Sequence, residues 1–238
     1  MALYTPLTAD ELGEVMARYG LPPPERHAPE PKGSVNTNYH LWAGGRRLFL
    51  RLNEGKTDED VEFETGVLRF LEAAGFPSAR LLLALEGRPF VRVRGRQAML
   101  FAFCPGEELA REAVGLDHVR RVGEQLGWLH SLAPGFGSRR RNPYGPERVG
   151  PWLDELGPDG GGDEAVQAAL PMLHHELAQA AALPPAPGGL VHGDLFVDNV
   201  LWDGERVAAV LDWEMSCVEA FAYDLAVALN AWCYTDRF

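Results

Sequence analysis

The sequence predicts an α+β fold of two lobes, and two observations support this prediction. Before residue 105, short alternating or apolar runs separated by Gly and Pro surround one amphipathic stretch. This pattern is typical of an antiparallel sheet crossed by a helix. After Pro105-Gly106, longer stretches with helical periodicity dominate. We therefore expect a first lobe of residues 1–104 and a mainly helical second lobe of residues 105–238.

The first lobe should open with a helix. Thr8 and Glu11 stand at the spacing of a capping box, so we expect a helix that starts at Thr8 and ends at Gly20. The proline clusters at 22–24 and 29–31 then predict a stiff connector without regular structure.

A hairpin, a helix and three further strands are predicted next. Residues 39–43 and 47–52 should pair through the Gly-Gly turn between them. Residues 58–74 have the apolar spacing of a helix, and three short runs within 81–106 predict additional antiparallel strands.

The second lobe is predicted to contain helices at 117–131, 163–182 and 220–232, with a loop at 134–162 around a short helix near Trp152. The last helix is so apolar that its surface should pack against further residues. We therefore expect the sequence to be a fragment of a longer chain.

The composition excludes several functional classes. The net charge of −12 argues against a nucleic-acid or anionic-membrane partner, because phosphates attract Lys and Arg. No apolar run reaches the length of a membrane span, and the first residues lack the pattern of a signal peptide. Three scattered cysteines indicate reduced thiols in a cytoplasmic protein, which we expect to be a monomer or homodimer.

The most informative stretch runs from residue 190 to 213. His192, Asp194 and Asn199 have the spacing H-x-D-x-x-x-x-N, and Asp212 ends the apolar run that follows. Asp203-Gly204 should form a hairpin turn that returns Asp212 to the side of Asn199.

These residue types suit phosphoryl transfer. The attacking hydroxyl needs a carboxylate that orients it and takes its proton, which we assign to Asp194. Mg²⁺ ions that bridge phosphates need hard oxygen ligands, which we assign to Asn199 and Asp212. His192 would bond backbone groups and hold the loop. Each residue taken singly fits an edge strand with an acidic turn equally well; the combination favours catalysis.

The segments HGDLFVDN and LDW resemble the catalytic and metal motifs of the aminoglycoside phosphotransferase and choline kinase superfamily, which has a protein-kinase-like bilobal fold. YDLAVALNAWCY, the first twenty residues and GSVNTNYHL are similar to the type II homoserine kinases. The resemblance implies transfer of the γ-phosphoryl of ATP, with Mg²⁺, to a small amino alcohol such as homoserine. It also implies that Asp224 braces the catalytic loop.

A nucleotide-binding loop is expected near the first hairpin, where small and amide side chains leave backbone amides open to phosphates. Its candidate residues are Gly33, Ser34, Asn36, Thr37 and Asn38. The strand position that is lysine in most kinases is Arg51 here, with Glu64 as the expected partner, although a surface ion pair would explain both. Lys56 is expected to face solvent. Adenine should bond backbone between Phe101 and Phe103.

The substrate pocket is predicted where Asp194 meets the last helix. Its candidate residues are Asp198, Glu214, Tyr223, Asn230 and Trp232. The arginines at 139–141, with Asn142, are candidates for binding a substrate carboxylate, or are simply solvated. His130 is interpreted as a packed helix-end residue, and His174-His175 lacks a third metal ligand. The alternatives to a homoserine kinase are a kinase of choline or an aminoglycoside, and an inactive nucleotide-binding homologue.

Overall fold

The computed structural model describes residues 4–31 and 35–233. Six α-helices lie within these ranges: α1 (Ala9–Arg18), α2 (Asp58–Ala73), α3 (Leu116–Leu132), α4 (Pro146–Leu156), α5 (Glu164–Ala181) and α6 (Phe221–Trp232). None of these described helices is both long and apolar enough to cross a membrane.

The first lobe is built on a six-stranded antiparallel sheet. Its strands are β1 (Arg26–Pro29), β2 (Thr37–Ala43), β3 (Arg46–Leu52), β4 (Leu81–Leu82), β5 (Val91–Val93) and β6 (Arg96–Ala102). The order is β1-β2-β3-β6-β4, and β5 also pairs with β6. The sheet buries one face against α1, whose Leu12, Val15 and Met16 pack with Leu41 and Leu50.

Strand β1 corrects one expectation from the sequence. The proline-rich segment was expected to be a connector, but Arg26–Pro29 pairs with β2. Pro29 is the last residue of this edge strand. A proline is tolerated there because an edge strand has a hydrogen-bonded neighbour on one side only, so the missing N–H interrupts no second row of hydrogen bonds. The capping box at Thr8 and the Gly44-Gly45 hairpin are present as predicted.

The second lobe combines helices α3 to α6 with two small sheets. Its strands are β7 (Glu107–Glu108), β8 (Gly188–Val191), β9 (Val200–Asp203), β10 (Arg206–Val210) and β11 (Cys217–Ala220). β9 lies between β10 and β7, while β8 pairs with β11. The turn between β9 and β10 is one residue later than predicted, because Asp203 pairs with Arg206.

The crossing between the lobes is tight at Gly106. Its φ is +145°, and an added Cβ would lie 3.0 Å from the Leu201 Cβ and 3.2 Å from the Ala208 Cβ. The chain enters β7 here and adds to the edge of β9. The change from sheet to helices thus falls between Ala102 and Glu107, while the lobe boundary at 104/105 stays a prediction.

Helix α2 crosses the sheet and faces the second lobe. Its apolar residues, including Val67 and Leu71, belong to the same buried cluster as Leu126, Leu129 and Trp213 of the second lobe. Burying these side chains stabilises both lobes and fixes α2 beside the segment that follows Asp212.

Candidate active site

His192 anchors the loop between β8 and β9. The ring is fully buried. Its Nδ1 accepts the Asp194 backbone N–H at 3.2 Å, and Nε2 lies 2.9 Å from the Leu211 carbonyl oxygen. These partners require the proton on Nε2. Burial lowers the pKa of His192, so the ring is the neutral form that this geometry needs.

Asp224, at the start of α6, also anchors the loop between β8 and β9 through its carboxylate. Its carboxylate accepts the backbone N–H groups of His192 at 3.1 Å and Gly193 at 2.9 Å. The turn has φ +78° at Gly193, where a Cβ would lie 3.0 Å from the Met215 carbonyl oxygen. Glycine is therefore required between the histidine and the aspartate.

His130 is a third partner of Asp224, and sequence reasoning missed it. Its Nε2 lies 2.9 Å from the Asp224 Oδ2, and its ring stacks on Phe221 at 4.3 Å between centroids. The histidine packs at a helix end as expected, but it also binds the loop's anchor. Burial opposes the charged form of Asp224, yet the hydrogen bonds from His130 and the loop amides outweigh it and lower the pKa of Asp224.

Asp194 and Asn199 face each other across the short helical turn that ends the loop. The Asn199 Nδ2 donates to the Asp194 carbonyl oxygen at 2.7 Å and to the Asp194 Oδ2 at 3.1 Å. The amide nitrogen is thereby used, and Oδ1 is the atom that can face a cation. Partial burial raises the pKa of Asp194, with further contributions from the charges of Asp198 and Glu214.

Asp212 lies next to Asn199 because the Leu211 N–H donates to the Asn199 carbonyl oxygen at 2.8 Å. Its backbone is left-handed, with φ +58° and ψ +67°, which is uncommon for a residue with a Cβ. The side chain is 42% exposed and faces the Arg51 guanidinium in the cleft between the lobes. Desolvation there, together with Glu214, raises the pKa of Asp212 despite the opposing charge of Arg51.

Arg51 on β3 and Glu64 on α2 form a buried ion pair, so the alternative of a surface pair is wrong. The Arg51 Nη2 lies 2.5 Å from the Glu64 Oε1, and the two residues are 7% and 4% exposed. The Arg51 Nη1 lies 3.8 Å from the Asp212 Oδ1. The Nε of Arg51 is buried and has no hydrogen-bond partner among residues 4–31 and 35–233. The guanidinium thus connects β3 to α2 and to the segment of Asp212.

The loop before β2 contacts the second lobe through Asn36. The Asn36 Nδ2 donates to the Glu214 Oε2 at 2.9 Å, and its Oδ1 accepts the Glu54 N–H at 3.2 Å. Thr37 donates to the Glu54 Oε1 at 2.9 Å. The Asn38 Oδ1 is buried without a hydrogen-bond partner in the part of the chain that the structure describes. Gly33 and Ser34 lie outside the described residues.

Lys56 does not face solvent, which corrects an expectation. Its side chain is 21% exposed, and its Nζ lies 3.6 Å from the Glu214 Oε1. Gly55 has φ +72° and turns the loop inward before the lysine. Glu214 therefore receives contacts from two parts of the first lobe, Asn36 and Lys56, and connects both to the segment that follows Asp212.

The remaining candidates are distributed over different environments. Phe101 is buried, with its ring centroid 5.4 Å from the Arg51 Cζ, and the Phe103 N–H donates to the Arg47 carbonyl oxygen at 3.3 Å. Asp198 and Asn230 are exposed and Tyr223 is half-buried. Trp232 is buried, and its Nε1 donates to the Leu195 carbonyl oxygen at 2.9 Å. Its ring fills the core beneath the loop instead of lining an open pocket.

The three arginines at 139–141 separate into different roles. Arg139 is exposed, and Arg141 pairs with Glu147 on the surface. Arg140 points inward: its Nη1 lies 3.7 Å from the Asp60 Oδ1, and its Nη2 donates to the Glu214 carbonyl oxygen. Only Arg140 therefore reaches the cleft, and it does so as a bridge to α2.

A sequence model of the phosphotransferase enzyme family matches residues 28–238. The chain belongs to the phosphotransferase enzyme family. The resemblance inferred from HGDLFVDN and LDW is confirmed by this match. As a member of the family, the chain is a small-molecule kinase.

Curated relatives match over almost the whole chain. A homoserine kinase of Phenylobacterium zucineum (strain HLK1) is 34% identical over 238 residues, which cover 98% of this chain and 72% of the relative. A homoserine kinase of Caulobacter sp. (strain K31) is also 34% identical, with 98% of this chain and 73% of the relative covered.

Solved structures confirm the two-lobed fold. The chain is similar to a spectinomycin phosphotransferase in complex with ADP and spectinomycin, with a TM-score of 0.67 and 18% identity over 97% of this chain and 77% of the other. It is also similar to an amicoumacin kinase in complex with AMP-PNP and Ca²⁺, with a TM-score of 0.70 and 17% identity over 87% and 64% of the two chains. The predicted α+β architecture is therefore confirmed.

Proposed function

We propose that this protein transfers the γ-phosphoryl group of ATP to the hydroxyl of L-homoserine, with Asp194 as the catalytic base. One observation carries the proposal: Asp194, Asn199 and Asp212 meet in a single cleft, closed on the other side by the Arg51–Glu64 pair. This is the set of groups that in-line phosphoryl transfer requires.

Asp194 has the position and protonation behaviour of a base. Its backbone is held by His192, and its carboxylate is oriented by Asn199. The raised pKa of Asp194 brings the carboxyl closer to neutral pH, where a base takes a proton more readily. The acceptor hydroxyl gives its proton to this carboxylate as its oxygen attacks the γ-phosphorus and the bond to the β-phosphate oxygen breaks.

The cleft also fits Mg²⁺ bound together with nucleotide phosphates. Magnesium is usually held by one or two carboxylates plus substrate phosphates. Asn199 offers Oδ1 and Asp212 offers an oxygen on the cleft side. The ion would neutralise charge that develops on the transferred phosphoryl group. Desolvation and the charge of Glu214 raise the pKa of Asp212, and a cation bound here would oppose both effects.

Arg51 is assigned to the nucleotide phosphates. It occupies the strand position and has the helix partner that the phosphate-binding lysine of kinases has. Its Nη1, which lies 3.8 Å from the Asp212 Oδ1, is on the cleft side and can donate to a phosphate oxygen. The loop with Asn36 to Asn38, and the strand end with Phe101 and Phe103, would cover the phosphates and the adenine.

L-Homoserine is proposed as the acceptor because the relatives that match along almost the whole chain carry the name homoserine kinase. The test is ADP release with L-homoserine, L-serine, choline and an aminoglycoside as acceptors. We expect L-homoserine to have the highest kcat/KM. A higher value for choline or an aminoglycoside would reject homoserine, and thermal stabilisation by ATP without turnover of any acceptor would indicate an inactive homologue.

The role of Asp194 is tested by Asp194→Asn in the same assay. Removing a general base typically costs about 10²- to 10⁴-fold in rate, so kcat should fall within that range while the KM for ATP stays the same. Asp203→Asn, which changes an exposed carboxylate on the hairpin, is the matched control and should retain full activity. Wild-type kcat in Asp194→Asn would exclude the assignment.

A further inference from the structure

A cleft of about 380 Å³ opens beside the proposed active site. It lies between the start of α2, helix α4 and the segment that follows Asp212. The residues that matter for its chemistry are Lys56, Asp60, Arg140, Arg148, Glu214 and Trp152. A volume of this size suits a small ligand.

The charges in the cleft are not balanced. Lys56 lies 3.6 Å from Glu214, and Arg140 lies 3.7 Å from Asp60. Each of these cations therefore has an anionic partner. Arg148, by contrast, forms no ion pair with any residue in 4–31 or 35–233, and its Cζ lies 5.3 Å from the centroid of the Trp152 ring. Three cations and two anions leave the cleft with one net positive charge, in a chain whose net charge is −12.

The cleft is continuous with the catalytic groups. Glu214 lines it, follows Asp212 by two residues and is bonded by Asn36 of the predicted nucleotide loop. A ligand in the cleft therefore lies beside the place where the γ-phosphoryl group would lie. Arg148 projects from α4, on the side of the cleft that belongs to the second lobe.

We propose that this cleft binds the α-amino-acid end of the acceptor, with the carboxylate on the Arg148 guanidinium and the hydroxyl directed to Asp194. A guanidinium binds a carboxylate through two parallel hydrogen bonds, and the exposed Arg148 guanidinium lies within cation–π distance of the Trp152 ring, at 5.3 Å. Asp60 and Glu214 present carboxylates to the same cleft for the ammonium group. The inference rests on the proposed function and adds a selection rule for the acceptor.

The positive net charge of the cleft determines which class of acceptor it can bind. An aminoglycoside is a polycation without a carboxylate, and choline is a cation without one. Either would face Lys56, Arg140 and Arg148 with nothing to neutralise Arg148. A zwitterionic amino acid satisfies both signs. The acceptor class is therefore a small hydroxy amino acid rather than a free amino alcohol.

The test compares L-homoserine with 3-amino-1-propanol, which is the same molecule without its carboxylate. In wild type, kcat/KM for L-homoserine should exceed that for 3-amino-1-propanol by about tenfold or more, the value of one hydrogen-bonded charged group. Arg148→Gln should raise the KM for L-homoserine by about the same factor. It should leave kinetics with 3-amino-1-propanol unchanged, and Arg148→Lys should restore part of the loss.

Arg139→Gln is the matched control, because Arg139 is an exposed arginine on the preceding loop; its KM should equal that of wild type. An equal loss for both acceptors in Arg148→Gln, or no loss for either, would overturn the carboxylate site while the proposed function stands. Calorimetry of L-homoserine with the enzyme, Mg²⁺ and AMP-PNP decides the site without turnover. Weaker binding in Arg148→Gln alone supports the site, and unchanged binding rejects it even if no acceptor is phosphorylated.

Discussion

At the scale of single residues, Asp194 shows how burial and neighbouring charges change the pKa of the proposed catalytic base. Its pKa is raised because the carboxyl is partly buried and because Asp198 and Glu214 add negative charge, against the hydrogen bond from Asn199. A base must be deprotonated to act. The kcat/KM should therefore fall as the pH falls through the raised pKa of Asp194, and it should be constant above it.

Asp198→Asn tests this electrostatic account. The substitution removes one neighbouring negative charge, so the pKa of Asp194 should decrease and the acidic limb of the kcat/KM profile should move to lower pH. The measurement is kcat/KM against pH with saturating ATP. A limb that stays in place, or moves to higher pH, would show that Asp198 does not act on Asp194.

Replacing Asp224 should cost considerable stability. It is fully buried and accepts three hydrogen bonds, two of them from loop amides. Asp224→Asn should lower the free energy of unfolding by about 2–3 kcal/mol near neutral pH, because hydrogen bonds to a charged group are lost.

The pH dependence of this loss has a defined sign. The folded-state pKa of Asp224 is lowered, so its contribution is complete above the unfolded value of about 3.9 and disappears as the pH falls through the lower folded value. Urea unfolding near pH 5 and pH 3 should show the difference between wild type and Asp224→Asn shrinking at the lower pH. Asp117→Asn, at a site 89% exposed, is the control and should leave the free energy of unfolding near pH 5 close to that of wild type.

At the scale of elements, β3 and α2 are joined by one buried ion pair. Arg51→Ala should raise the KM for ATP clearly, because a phosphate donor is removed. It should also destabilise the fold by about 3–5 kcal/mol, since Glu64 stays buried without a partner. The KM of Arg51→Lys for ATP should lie between that of wild type and that of Arg51→Ala. A folded Arg51→Ala enzyme with unchanged KM for ATP would remove Arg51 from the nucleotide site.

The elements that local sequence signals mark are the ones predicted well. The capping box at Thr8, the Gly-Gly turn of the first hairpin and the amphipathic face of α2 act within a few residues, so the sequence reveals them. Strand β1 was missed because it depends on a partner, β2, that supplies its hydrogen bonds. Propensity alone contains no information about such a partner.

The contacts of the candidate site also separate into local ones, which the sequence predicts, and long-range ones, which it does not. Its spacing motif brought Asn199 and Asp212 together as predicted, because a hairpin connects them. The contact of His130 with Asp224 spans 94 residues, and that of Asn36 with Glu214 spans 178. Contacts across such separations are set by how helices and lobes pack, which the sequence pattern does not state. Lys56 was misplaced for the same reason.

At the scale of the whole molecule, the passage between the lobes depends on Gly106. Gly106→Ala would place a Cβ 3.0 Å from the Leu201 Cβ and 3.2 Å from the Trp202 carbonyl oxygen. The hairpin would have to move, so we expect a loss of about 1–3 kcal/mol in the free energy of unfolding. Urea denaturation measures it.

Gly127→Ala is the control for this substitution. Gly127 lies in α3, and among the described residues no atom beyond its chain neighbours and its own helix backbone lies within 4 Å of a Cβ added there. Alanine should be neutral, or stabilising by about 0.5–1 kcal/mol, because it favours a helix over glycine. Equal stability of Gly106→Ala and wild type would mean that the passage tolerates a side chain.

The guanidinium at Arg51 has a consequence for chemical labelling. Nucleotide analogues that carry an acylating or sulfonylating group report on kinases by reacting with the lysine amine beside the phosphates. Here that strand position holds an arginine whose pKa is raised further by the carboxylates of Glu64 and Asp212, so it never presents a neutral nucleophile. Such a probe would therefore not react with β3 of this enzyme.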